Sequence, residues 1–203
     1  SLETLARDVL DLAEHVVGNA PVPIVGHSMG GRVALKARML ARERVSAVTL
    51  LDIGPGPIGS RANDLEPVVQ ALTGAPRHAE SKNEMREHLL GTGIGRALTD
   101  WLLMNLVAAE TGGVTWQIER ESLVALQAAA RDEALWEGLE GPTLCVRGGR
   151  SPFVDESELT AMAEHGTVVH TLERAGHFLH MDAPDELLQI LVSDQTTRVD
   201  ISS

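Results

Sequence analysis

The chain has 203 residues, a net charge of −12, 43% hydrophobic residues and 2% aromatic ones. This balance excludes a protein that grips a phosphate backbone through bulk positive charge, and enough apolar side chains remain for a core that disorder is excluded as the main state. One cysteine cannot close an internal disulfide, and no uncharged apolar run reaches the roughly 18 residues of a bilayer span, so a cytoplasmic globule without nucleic-acid or membrane partners is expected.

Leu2, Leu5, Ala6, Val9, Leu12, Ala13 and Val16 recur at three and four, which predicts an amphipathic first helix stopped by Gly18. Val22–Val25 reads as a strand closed by Gly26, and a helix is expected from Arg32 to Ala41. Ala47 to Leu51 is a continuous apolar run ending at Asp52, the pattern of a strand buried on both faces of a parallel sheet. Gly54-Pro55-Gly56-Pro57 then breaks the chain. From Ile58 to Glu140 the pattern is helical and polar, with Trp101, Trp116 and Trp136 among leucines, and Gly91 to Gly95 reads as a helix break. Strand character returns at Thr143 to Arg147 and at Val168 to Leu172. Between them Asp155 and Glu158 have capping-box spacing, with Gly166 as the stop. Asp182-Ala183-Pro184 opens a last helix with Leu187, Leu188, Ile190 and Leu191 inward, and the polar tail after Ser193 is expected to fray. The division expected is therefore a core at 1–53 and 141–203 with a helical cap inserted at 54–140.

Gly26-His27-Ser28-Met29-Gly30 fits a nucleophile elbow, Gly-x-Ser-x-Gly, between a buried strand and a helix. Side chains at Gly26 and Gly30 are expected to collide with the neighbouring strand and helix. The turn lifts the Ser28 hydroxyl above the sheet and sets the Met29 N–H at a helix start, where it can stabilise an oxyanion. The alternative is a tight turn with an incidental serine.

A serine needs a base. His177, in a loop just past the last strand, is placed to reach Ser28, whereas His15, His78, His88 and His165 fall in helical segments and His170 in a strand. For the acid, the turn after Arg147 reads Gly148-Gly149-Arg150-Ser151-Pro152 and holds no carboxylate, while Asp52 ends the preceding strand. Asp52 is the candidate acid, with a loop cap as its alternative; Asp155 reads better as a helix N-cap, and Asp182 is weighed likewise. His27 and Trp101 are the candidate substrate contacts, His27 with a structural hydrogen bond as its alternative. The His177 and His180 pair lacks a third ligand, so no metal is expected. Cys145, in an apolar run, reads as a buried inert thiol.

These pieces resemble the α/β-hydrolase superfamily. More narrowly the chain is similar to the small esterase branch with acyl-ester and acyl-CoA thioesterases, on Val25 to Gly31, Leu51 to Pro55, Asn105 to Val107 with Trp116, Arg147 to Val154 and Ala175 to His180. The resemblance implies an α/β fold, a mostly parallel sheet with helices and an inserted helical cap. It also implies the acid at Asp52, and hydrolysis of esters or thioesters without metal or organic cofactor. The family pattern has further strands before the segment matching Ser1 to Val17, one followed by a loop that donates a second oxyanion N–H. Without them the first strand presents an open edge. Three readings stay open: a fragment, a sheet completed by a homodimer mate or second chain, or a chain that binds and hardly catalyses. Carbon–carbon hydrolysis on the same three residues is a further alternative.

Overall fold

In the computed structural model, which describes residues 1–59, 66–120, 122 and 132–201, with side chains of the last helix described to residue 194, contacts divide the chain into two units. These are Ser1–Arg61 with Ala129–Ser203, and Ala62–Ala128.

The first unit opens with helix α1 (Leu2–Val17), capped by the Ser1 hydroxyl, which accepts the Thr4 N–H at 3.1 Å, and stopped at Gly18 with φ of 65°. Its apolar stripe is buried at Leu2 and Ala6, while Leu12 and Val16 are exposed. Strand β1 (Val22–His27), helix α2 (Met29–Leu40) and strand β2 (Val45–Leu51) follow.

The second unit contains α3 (Glu66–Gly74), β3 (His78–Ala79), α4 (Lys82–Gly91), α5 (Arg96–Leu102), β4 (Leu106–Ala108) and β5 (Val114–Trp116). A wholly helical segment was the expectation, but the three strands form an antiparallel sheet in the order β3-β5-β4, and His78 pairs with Thr115 rather than lying in a helix. Strands of two or three residues are too short to show an alternating pattern. Leu72, Met85, Leu89, Leu102 and Leu103 form this unit's own buried core. The glycine run at 91–95 does break the helices: α4 ends at Gly91, Gly93 has φ of 91° and Gly95 caps α5.

The chain then returns to the first unit with β6 (Thr143–Gly148), α6 (Glu156–Glu164), β7 (Val168–Leu172), α7 (Leu179–Asp182) and α8 (Pro184–Ile201). The sheet is parallel throughout, in the order β1-β2-β6-β7. Its central strands β2 and β6 carry the continuous apolar runs and are almost wholly buried. The outer strands are partly open: Val25 on β1 is 49% exposed and Val168 on β7 is 53% exposed. No strand pairs with the outer edge of β1 among the described residues.

Leu51, Leu144, Val146 and Leu172 of the sheet pack with Leu179 of α7, Ala183 between the helices and Leu187 of α8. Leu188, expected inward, is 60% exposed, because it falls off the stripe that Ala183, Leu187, Ile190 and Leu191 follow at three- and four-residue spacing. The backbone of α8 is helical to Ile201, past the point where fraying was expected; once nucleated, a helix gains one hydrogen bond for each further residue it orders.

Parallel pairing puts every strand's carboxyl end at one edge of the sheet. His27 stands opposite Leu51 in register, and the ladder runs one bond further at Ser28 N–H to the Leu51 carbonyl, 3.0 Å, and at Asp52 N–H to the Val146 carbonyl, 2.8 Å. The loops after β1, β2, β6 and β7 therefore start at the same crevice.

Candidate active site

Ser28 sits between β1 and α2 with φ of 53° and ψ of −124°. A Cβ at Gly26 would run into the main chain of Gly30 and Gly31, so the first glycine of the motif is sterically required. The second is not: a Cβ at Gly30 meets nothing within 4 Å. The close approach falls instead on Gly31, whose Cβ would lie 2.5 Å from Ile53 Cγ2. Ser28 occupies the N-cap position of α2 yet makes no capping bond with its side chain. Its hydroxyl instead donates to His177 Nε2 at 3.0 Å.

His177 lies between β7 and α7, and its Nδ1–H donates to Asp52 Oδ2 at 2.7 Å. The ring is stacked on Phe153, with centroids 4.1 Å apart. Asp52, one residue past β2, is 0% exposed and has φ of 53°. A carboxylate so buried must have donors. Besides His177, it accepts the Gly148 N–H at 2.8 Å on Oδ1 and the Ser151 hydroxyl on Oδ2. The three residues expected to converge are thus hydrogen-bonded in sequence, hydroxyl to imidazole to carboxylate.

The other expected site residues fall as follows. Met29 is the first residue of α2, so its N–H has no acceptor inside the helix. His27 is half-buried, and its Nε2–H donates to the main-chain carbonyl of His177 at 2.7 Å. Burial holds the His27 imidazole below its ordinary range, a shift that the bond to His177 partly opposes. Trp101 lies on α5 in the second unit and is 42% exposed. Trp116 packs on the second unit's core, and the Trp136 ring lies 5.5 Å from the His165 ring between centroids. Asp155 caps α6 by accepting the Glu158 N–H at 2.9 Å. Asp182 accepts the Gly176 N–H at 2.8 Å and so braces the loop carrying His177. Cys145 is fully buried in β6, and burial pushes its thiol up to about 12.

Three contributions were not anticipated. Ser151, in a turn that holds no carboxylate, supplies a hydroxyl to the carboxylate of Asp52. Glu158 does not return its side chain to Asp155 to complete a capping box; it is buried and accepts the Gly56 N–H at 2.8 Å. Arg32 on α2, 0% exposed, holds the same loop from its carbonyls, donating to Gly56 at 2.7 Å and Gly54 at 3.2 Å, and also to the Glu133 carbonyl. The loop leaving Asp52 is therefore fixed through both its amide and its carbonyl groups. Only the run of glycines and prolines at 54–57 hinted at such close packing.

The sequence pattern of the Alpha/beta hydrolase family matches residues 1–190. The sn-1-specific diacylglycerol lipase ABHD11 of Mus musculus is 26% identical over 202 residues, covering 95% of this chain and 64% of its own length. The esterase YbfF of Escherichia coli is 27% identical over 197 residues, covering 92% of this chain and 72% of its own length. Among solved structures, a marine microorganism esterase superposes with a TM-score of 0.84 at 22% identity, over 95% of this chain and 77% of that one, a likeness of fold. The chain spans 64% of the length of the mouse lipase and 61% of an esterase of Mycobacterium tuberculosis.

Proposed function

Since the chain belongs to the alpha/beta hydrolase family, we propose that it is a serine hydrolase cleaving small carboxylic esters or thioesters through an acyl-enzyme on Ser28. The observation that carries this reading is the continuous hydrogen-bonded path from Ser28 Oγ through His177 to the buried carboxylate of Asp52. Relatives named as esterases and lipases support it.

In this reading His177 Nε2 takes the Ser28 proton as Oγ attacks the acyl carbon. Asp52 holds the imidazole by Nδ1 and stabilises the imidazolium. The carbonyl oxygen becomes an oxyanion facing the Met29 N–H at the start of α2. His177 then gives the proton to the departing alcohol or thiol. Water, deprotonated by the same nitrogen, attacks the acyl-enzyme; the bond from the acyl carbon to Ser28 Oγ breaks, His177 returns its proton to Oγ, and the free acid leaves. A cytoplasmic setting belongs to the same proposal; no helix among the described residues is long and apolar enough to cross a membrane.

A fluorophosphonate probe tests the reading. Ser28 should be the residue modified, and Ser28→Ala should abolish labelling and ester turnover; a folded protein left unlabelled on Ser28 while a control serine hydrolase reacts overturns it. The open edge of β1 favours a second reading, a chain completed by a homodimer mate or a second chain and acting mainly by binding. Light scattering separates the two, because a fully active monomer removes the second.

A further inference from the structure

His27 and Ser28 are consecutive, yet both side chains end on the same residue. Ser28 Oγ bonds to the ring of His177 at 3.0 Å, and His27 Nε2 bonds to the main-chain carbonyl of His177 at 2.7 Å. In an unbroken strand, successive side chains point to opposite faces. The left-handed φ of 53° at Ser28 ends that alternation where β1 ends. A carbonyl only accepts, so the bond requires the proton on His27 Nε2.

The base needs such a hold. It stands in a loop, and loops are the least constrained part of a fold. The Phe153 ring limits the tilt of the imidazole, and Asp182 grips the Gly176 N–H, but the carbonyl of His177 is held by His27. We propose that His27 is a positioning residue, fixing the main chain of His177 so that one dipeptide, His27-Ser28, sets both backbone and ring of the base against the nucleophile. This rests on the serine hydrolase reading of Ser28, His177 and Asp52. The hold uses no triad atom, since it engages only main chain. The His27 ring packs 4.7 Å from His177 and 5.2 Å from His180 between centroids. Burial lowers the pKa of the His27 ring, which disfavours a second cation beside the imidazolium formed on His177.

His27→Gln keeps an N–H of similar reach; His27→Met has nearly the same length and none. With a p-nitrophenyl ester, His27→Met should lower kcat about 10- to 100-fold, the cost typical of a displaced catalytic group, while KM stays within about threefold of wild type. The rate of fluorophosphonate labelling should fall in proportion, and His27→Gln should recover most of both losses. A wild-type kcat in His27→Met, a rise in KM alone, or a glutamine variant no better than the methionine one overturns the proposal. If the methionine variant does not fold, nitrogen NMR of the His27 ring in Ser28→Ala protein decides: an Nε2–H tautomer supports the hold, and an Nδ1–H tautomer overturns it. That spectrum needs no activity. A wild-type protein that neither labels nor hydrolyses esters therefore overturns the hydrolase reading separately.

Discussion

Ser28 and Asp52 share a backbone exception: each stands one residue past the end of neighbouring strands, and each has φ of 53°. Among the described residues no other non-glycine residue has a positive φ. A left-handed backbone costs an L-residue about 1–2 kcal/mol. The fold holds that strain at two of the three residues proposed for catalysis, and in both the turn directs a side chain from the sheet end to His177.

The strain has a measurable sign. Ser28→Gly relieves it and Ser28→Ala does not, while the greater freedom of glycine in the unfolded chain offsets about 0.4–1 kcal/mol of the relief. The glycine variant should remain the more stable of the two by up to about 1.6 kcal/mol, the largest difference between these terms. Both should lose ester turnover by more than about 10³-fold. Thermal melts of the two variants check this, and an alanine variant that melts at or above the glycine one would show that any strain at Ser28 is no larger than the glycine offset of about 0.4–1 kcal/mol.

Asp52 and Ser151 separate charge from support. Asp52→Asn keeps the shape but removes the charge facing the imidazolium, and kcat should fall about 10⁴-fold. Ser151→Ala leaves the charge and two of three donors; one missing hydrogen bond to a charged group costs about 1.5–3 kcal/mol, so the loss in kcat should not exceed roughly 10- to 160-fold. Steady-state kinetics of both variants decide the matter. Equal losses would mean that Ser151, not the charge of Asp52, governs the base.

What the sequence revealed of this site follows from range. Ser28 and Asp52 each directly follow a strand built on an apolar run and His177 stands in the loop after the last strand, so parallel pairing brings all three to the same end of the sheet. Their supports do not announce themselves. A structural hydrogen bond is one of the two sequence readings of His27, but its acceptor, the His177 carbonyl, lies far along the chain, and the bonds from Ser151 to Asp52 and from Glu158 to Gly56 join residues about a hundred positions apart, so nothing local names the partners. Glu158 illustrates the failure well: its spacing from Asp155 matches a capping box, but a buried amide at Gly56 competes for the carboxylate and wins. Gly30 was credited with a clash that belongs to Gly31, because the motif records which residue is glycine and not which neighbour lies within reach.

Cys145 should be inert in the folded protein. It is 0% exposed in the middle of β6, and its thiol is pushed up to about 12, so almost no thiolate forms at pH 8. Ellman's reagent should titrate no thiol under native conditions and one per chain in denaturant. Rapid native reaction would require β6 to open.

Stability should depend on pH through His27. Burial lowers its folded-state pKa below the ordinary 6.5, with His177 and His180 acting in the same direction and Asp52 and the bond to the His177 carbonyl opposing. A depressed histidine contributes stability that is complete above pH 6.5 and is lost as pH falls through the folded value, because the unfolded chain binds the proton first. Melting temperature should therefore drop on acidification from pH 7.5 toward 5, and His27→Gln should flatten part of that slope. Parallel slopes in the two proteins would exclude His27 as a source.

Gly54 and Glu158 provide a test of how the loop after Asp52 is held. A methyl group at Gly54 would run into the buried Glu158 carboxyl, so Gly54→Ala should cost about 1–3 kcal/mol by overpacking. Glu158→Ala removes the acceptor from the Gly56 N–H and leaves a small cavity, at about 2–4 kcal/mol. The two losses should not add, because the new methyl has nothing to strike once the carboxyl is gone; the double variant should fall short of the sum by about 1 kcal/mol or more. Urea unfolding of the four proteins measures this coupling. Strict additivity would mean that the loop moves away from Glu158 at little cost, and that the bond from Gly56 does not fix the chain leaving Asp52.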